Sequence, residues 1–277
     1  MELLVNNLKN IREAHLKGEK IVLYGPNGEG KSTLIHMAML IVSKLGAPRS
    51  MYDDKVLPQY VFDEATATAQ LDEISVELRQ RNMVVRYKDR SYTSDVLSGE
   101  GVRLAEWSVW HITTDEINYQ GTPKICRQPA ISYTPIEQRE GLKDFAVTCP
   151  AIAQYIGNVH YDSMQTPIGW IPIRHLSYGE KRFLAMEVAI YSGDYVFIEN
   201  FEAGLHVDFI KLLLDLIGEV QATVFIETHS GVVVKYALLK GYSVYKVERG
   251  SAVPITLDKL RDIGLFRREY EVYQSLI

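Results

Sequence analysis

The sequence predicts an α/β fold: a mixed, largely parallel sheet flanked by helices, with an antiparallel β subdomain in its middle. Three observations lead there. A short apolar strand runs through a glycine-rich loop into a helix between residues 20 and 46. From Ser177 onward, helical and strand patterns alternate, as crossover connections between parallel strands require. Between these two regions the pattern changes to short runs of period two, the mark of half-exposed antiparallel strands.

Taken in order, "ELLVNN" and "KIVLYG" are short, apolar or β-branched and bounded by polar residues or glycine, so both read as strands. "KSTLIHMAMLIVSKLG" reads as a helix that ends at Gly46. "ISVEL" (Ile74 to Leu78) and "MVVRY" (Met83 to Tyr87), joined by a short polar turn, read as a hairpin, and "AEWSVWHIT" as a further strand. The helix "EKRFLAMEVAIYS" follows Ser177, with Glu180 three residues on, which is a capping box. The strand "YVFIE", the helix "FIKLLLDLIGEV" and the strand "TVFIET" complete the alternation. One domain is expected over 1–277, with its core in 1–47 and 173–277 and an inserted β/helical subdomain at 48–172.

Gly25-Pro26-Asn27-Gly28-Glu29-Gly30-Lys31-Ser32 fits G-x-x-x-x-G-K-[ST] in the strand-to-helix context that the motif needs. Glycines let backbone N–H groups close around phosphates, and the helix N-terminus adds the positive end of its dipole. The candidate nucleotide-binding residues are Gly25, Asn27, Gly28, Gly30, Lys31, Ser32 and Thr33. Lys31 can reach the terminal phosphates and the Ser32 hydroxyl can ligate Mg²⁺. A GTPase would need an [NT]KxD base-reading motif, and the chain has none.

"LSYGE" (Leu176 to Glu180) resembles the signature motif of ABC-type ATPases. "NNLKNIREAHLKGEKIVLYGPNGEGKSTLIHM" is similar to the N-terminal lobe of RecF and SMC-like repair ATPases, and "IENFEAGLH" with "FIETHS" resembles the OLD-type ATPases. The motifs cover roughly residues 1–45 and 173–235. The resemblance implies ATP and Mg²⁺ as ligands and a head-to-tail homodimer, in which Ser177, Gly179 and Glu180 of one copy complete the site of the other. It implies that Glu199 is a Mg²⁺ ligand beside Ser32 and that His229 is the switch histidine. Asn200 then stands where the catalytic glutamate is usual. An amide can orient a water but cannot accept its proton. Glu227, two residues before His229, is the proposed substitute base, sharing the task with Asn200 or His229, and Glu202 is the alternative. His206 falls where the family places an interface aspartate. Gln59 and Gln70 both lie in the plausible region for the family's glutamine loop.

Two departures narrow the expected role. The 48–172 segment shows no heptads, so no coiled-coil rod is expected. No acidic cluster of the nuclease domain that OLD proteins carry follows His229, so an effector or nuclease would be a separate chain. The expected activity is ATP hydrolysis that drives a partner or a nucleic-acid transaction, of a repair or defence kind. The other reading is an ATP-gated switch with negligible turnover.

The bulk properties fit an intracellular protein. The chain has 277 residues, 47% of them apolar, and a net charge of −5, which argues against a globally basic nucleic-acid binder. Cys126 and Cys149 lie far apart and outside any CxxC, as expected of reduced thiols in a cytoplasmic protein. No apolar run approaches the length of a membrane span. Arg79, Arg81, Arg86, Lys88 and Arg90 cluster on the predicted hairpin as a solvated face or a phosphate-binding patch. Trp107 and Trp110 are expected in packing, and His111 and His160 have no metal-like spacing.

Overall fold

The unbroken burial along β3 (Lys20–Tyr24), β14 (Tyr195–Ile198) and β15 (Thr223–Thr228) explains the architecture, because these strands present side chains to both covered faces of one sheet. A computed structural model describes residues 1–46, 66–79, 82–93, 107–120, 133–135, 159–160, 163–166, 169–172 and 175–262. Cys126, Cys149, Gln59 and Arg81 lie outside the described residues.

The first hairpin is β1 (Glu2–Leu8) and β2 (Ile11–Lys17), and β3 leads through the phosphate loop into α1 (Lys31–Gly46). Four antiparallel strands follow: β4 (Thr66–Leu71), β5 (Ile74–Arg79), β6 (Asn82–Tyr87) and β7 (Arg90–Thr93). Next come β8 (Val109–Ile112), β9 (Glu116–Gln120) and β10 (Tyr133–Pro135). β11 (Val159–His160), β12 (Ser163–Thr166) and β13 (Gly169–Pro172) form a separate three-stranded sheet. α2 (Tyr178–Ser192), β14, α3 (Val207–Glu219), β15, α4 (Gly231–Leu239), β16 (Ser243–Glu248), β17 (Ser251–Ile255) and a 3-10 turn at Leu257–Asp262 complete the described chain.

The large sheet has fourteen strands in the order β10-β9-β8-β14-β15-β3-β16-β17-β2-β1-β4-β5-β6-β7. Its centre, β8-β14-β15-β3-β16, is parallel throughout, and the flanks are mostly antiparallel. Val22, Tyr24, Val196, Ile198, Val224 and Ile226 pack on one face against α2, α3 and α4. Ile21, Leu23, Phe197 and Phe225 pack on the other face against α1, which β1, β2 and β4–β6 cover from beyond. That double burial is why α1 is apolar nearly all round.

The expected hairpin of β5 and β6 is present, and Arg86 pairs with Glu77 across it at 3.1 Å. Trp110 is buried in the core, and Trp107 meets Tyr195 edge to face. The expected division at residues 48 and 172 does not follow the sheet. β8, within that segment, is a central strand parallel to β14 and buried along its whole length. A four-residue apolar run carries too little periodicity to reveal its place.

Candidate functional site

The phosphate loop sits between two hairpins that fix its path, β1–β2 and β16–β17. A Cβ on Gly25 would lie 2.3 Å from the Val247 carbonyl oxygen of β16, and the residue's φ of +154° is itself glycine territory. A Cβ on Gly30 would lie 2.5 Å from Ile11 of β2. Asn10 Nδ2 donates to the Gly28 carbonyl, and the Arg249 N–H donates to Glu29 Oε2 at 2.7 Å. The loop is thus held from β2 and from the β16–β17 turn, with Gly28 open to space.

Lys31 is buried, and its amine donates to the carbonyls of Gly25 at 3.0 Å and Pro26 at 2.9 Å. Burial pulls its pKa down, and the nearby Glu227 carboxylate opposes that. Ser32 Oγ donates to Glu227 Oε2 at 2.8 Å, and Glu227 Oε1 lies 3.6 Å from the Lys31 amine and 3.9 Å from His229 Nε2. Asn27, Gly28, Gly30, Lys31, Ser32 and Thr33 share one cavity of about 280 Å³ with Asn200, Glu227 and His229, and Lys9 and Asn10 close its side.

Glu199 is not among the lining residues. Its Oε1 accepts from His36 Nε2 at 2.8 Å and from His111 Nε2 at 2.7 Å. Burial pushes this carboxyl up, but the two imidazole bonds outweigh it and hold the pKa at about 2. The pairing expected from sequence, Glu199 beside Ser32, is therefore not the arrangement found, since Glu227 occupies that place. The sheet order gives the reason. β15 lies between β14 and the phosphate-loop strand β3, so an acid at the end of β15 is one strand closer to the loop.

Asn200 does reach the cavity, on a left-handed backbone with φ of +48°, and its amide donates to Thr114 Oγ1 at 3.3 Å. Glu202 is occupied elsewhere. It accepts from Thr228 Oγ1 at 2.7 Å and from the His229 N–H at 2.8 Å, and so clamps the switch segment before α4.

The capping box on α2 is formed. Glu180 N–H donates to Ser177 Oγ at 3.3 Å, and Ser177 N–H donates to Glu180 Oε2 at 2.8 Å. Ser177, Gly179 and Glu180 lie outside the cavity of their own chain. A Cβ on Gly179 would lie 2.3 Å from the Gly204 carbonyl oxygen, so the helix start is seated directly on the acidic loop. His206 is exposed at the N-terminus of α3.

Sequence reasoning missed three residues here. Arg182 is fully buried and donates to the Thr113, Glu199 and Asn200 carbonyls, the last two at 2.7 and 2.8 Å. The signal available was a guanidinium in the middle of an apolar helix, which needs acceptors. His36 is unmarked in the sequence and His111 reads there as an ordinary histidine, because the two meet Glu199 from distant segments and no local spacing joins them.

Among known proteins, the family described as "AAA domain, putative AbiEii toxin, Type IV TA system" matches residues 166–235, the stretch from β12 into α4. A solved SMC head, bound to the C-winged helix domain of ScpA, superposes with a TM-score of 0.57 at 14% identity, covering 95% of this chain and 99% of that one. The fold is the P-loop fold of that SMC head. The SMC head domain from Thermotoga maritima is less similar, with a TM-score of 0.49, 13% identity and coverage of 92% of this chain and 98% of that one. So is cbiO1 from Clostridium perfringens, part of the ABC transporter complex cbiONQ, at 0.49 and 14%, covering 98% and 94%. No curated protein sequence matches the chain. Among the described residues, no helix is long and apolar enough to cross a membrane.

The donor set suits the ligands that such a fold holds. Loop amides, a lysine and an open glycine face the cavity, as a polyphosphate requires. A serine hydroxyl and a carboxylate 2.8 Å apart offer the hard oxygen donors that Mg²⁺ prefers.

Proposed function

We propose that the chain is an ATPase that binds ATP and Mg²⁺ in the phosphate-loop cavity and closes as a head-to-tail homodimer around it. The observation that carries this reading is the convergence of Lys31, Ser32, Asn200, Glu227 and His229 on one cavity. Gly25, Asn27, Gly28, Gly30, Lys31 and Thr33 would hold the nucleotide phosphates. Ser32 and Glu227 would hold Mg²⁺, which when bound neutralises phosphate charge. Ser177, Gly179 and Glu180 would come from the second copy, at the N-terminus of α2.

The proton balance follows from how Glu227 is engaged. With its carboxylate committed to Ser32 and Lys31, Glu227 serves on the cation side, and Asn200 orients the attacking water. His229 is left to accept the proton, with Glu227 3.9 Å away to stabilise the imidazolium. The task is then divided between an amide that orients the water and an imidazole that takes its proton, and slow turnover is the expected outcome. Opening and closing of the dimer would drive a separate partner, a protein effector or a nucleic acid. The test is ATP binding and phosphate release by purified wild type and Lys31→Ala. The variant loses a charge-assisted phosphate contact worth roughly 1.5–3 kcal/mol. Nucleotide binding should weaken at least ~10-fold and turnover should vanish, and unchanged turnover in the variant would defeat the proposal.

Asn200 also favours a second reading, an ATP-gated switch with negligible hydrolysis. If the wild type binds ATP but releases no phosphate, while Asn200→Glu does, that reading holds.

A further inference from the structure

We propose that His36, His111 and Glu199 form a binding site for a divalent first-row transition cation, with zinc as the ion that suits them best. The three donors come from three different packed elements: α1, β8 and the end of β14. Both imidazole Nε2 atoms converge on one carboxylate oxygen, at 2.8 and 2.7 Å, and the donor atoms all lie within 4.8 Å of one another. The rings stand edge to face, 86° apart with centroids 5.8 Å apart, so each aims its Nε2 at the shared point from its own direction. The side chains are shielded, with relative exposures of 22% for His36, 9% for His111 and 14% for Glu199.

The chemistry separates this cluster from the nucleotide cavity. Two imidazoles and a carboxylate are the donor set of zinc and of other borderline first-row cations, and Mg²⁺ prefers oxygen alone. Ser32 and Glu227 supply oxygen alone; His36, His111 and Glu199 do not.

The site has a place in the working of the head. His36 lies one helical turn beyond Ser32 on α1, and Glu199 is the residue before Asn200. A cation at this point ties the phosphate-loop helix to the acidic loop from behind the cavity, as a structural staple. The inference does not depend on hydrolysis.

The experiment strips the full chain with a chelator, then titrates it with zinc chloride by calorimetry and measures retained zinc after dialysis by mass spectrometry. Wild type should retain about one equivalent per chain. His36→Gln and His111→Gln should each weaken zinc binding by more than ~100-fold, beyond what loss of an outer-shell partner costs. Lys31→Ala should retain zinc while losing nucleotide, so the two sites fail separately. A wild type that holds no more zinc than the double histidine variant overturns the proposal. So does a Lys31→Ala protein that loses zinc, because the cation would then sit in the nucleotide cavity. Where a histidine variant does not fold, cobalt(II) absorption of the wild type decides. A low-symmetry, nitrogen-ligated band supports the site, and the spectrum of the octahedral aquo ion overturns it.

Discussion

Two glutamates at the ends of neighbouring strands do different work because of what faces them. Glu227 meets a hydroxyl and an amine of the phosphate loop, whereas Glu199 meets two imidazoles. Removing the charge from each should therefore have different consequences. Glu227→Gln keeps the shape but gives up the carboxylate beside Ser32, and Mg²⁺-dependent turnover should fall by at least ~10²-fold, as expected for a loss of several kcal/mol of cation-borne stabilisation. Glu199→Gln should bind ATP as the wild type does, measured by calorimetry with Mg²⁺. A Glu199→Gln protein that cannot bind Mg·ATP, beside a Glu227→Gln protein that turns over normally, would return the cation to Glu199. This distinction was out of reach in the sequence. "FIENFE" and "FIETHS" each offer an acid at a strand end, and only the order of the strands says which is nearer the loop. The loop itself could be read, because its glycines, lysine and serine act within eight consecutive residues.

Helix α2 links the signature to the acidic loop, and its buried charges explain how. Arg182 ties the helix to the backbone on either side of Asn200, so the positions of Ser177 and Asn200 are set together. One turn further on, Glu187 has no such compensation. Burial alone pushes its pKa up to about 7. The folded state then binds a proton that the unfolded chain releases near its ordinary value of 4.5. Stability is full below about pH 4.5 and falls as pH rises through about 7, by at most about 3 kcal/mol. Glu187→Gln should remove this loss. Its melting temperature should exceed the wild type's at pH 8 and match it near pH 5, by calorimetric scans; a variant that gains nothing at pH 8 would show that Glu187 is hydrated. α1, α2 and α3 are legible in the sequence, and α2 begins after Ser177 as its S-x-x-E pattern requires, whereas α4 has no side-chain cap to announce it and is not anticipated. Nor is β2, because "IREAHLK" buries only Ile11, Ala14 and Leu16 and breaks the alternation that marks a strand. β8 escaped placement for the opposite reason, being buried on both faces and periodic on neither.

Across the whole sheet, the phosphate loop and the LSYGE segment occupy separate surfaces. Ser177 is exposed, and neither it nor Gly179 or Glu180 lines the cavity of its own chain. A helix N-terminus with a serine hydroxyl is suited to a phosphate, and a second copy turned about a two-fold axis is the simplest way to bring the two together. Val232, three residues past His229, is 53% exposed, and Val207, next to His206, is 50% exposed. On the proposed composite site ATP should therefore convert monomer to dimer, since the nucleotide would supply an anion for both surfaces. Light scattering with Mg²⁺ and a slowly hydrolysed ATP analogue, at tens of micromolar chain, should report a doubled mass. Ser177→Arg places a bulky side chain at the helix start. It should abolish that doubling, and with it turnover, while nucleotide affinity at the phosphate loop changes less than ~3-fold, within the effect of a surface substitution. The affinity measurement matters because it separates a blocked interface from a damaged fold. A wild type that stays monomeric with the analogue, or a Ser177→Arg protein that still dimerises and hydrolyses, would rule out the composite site.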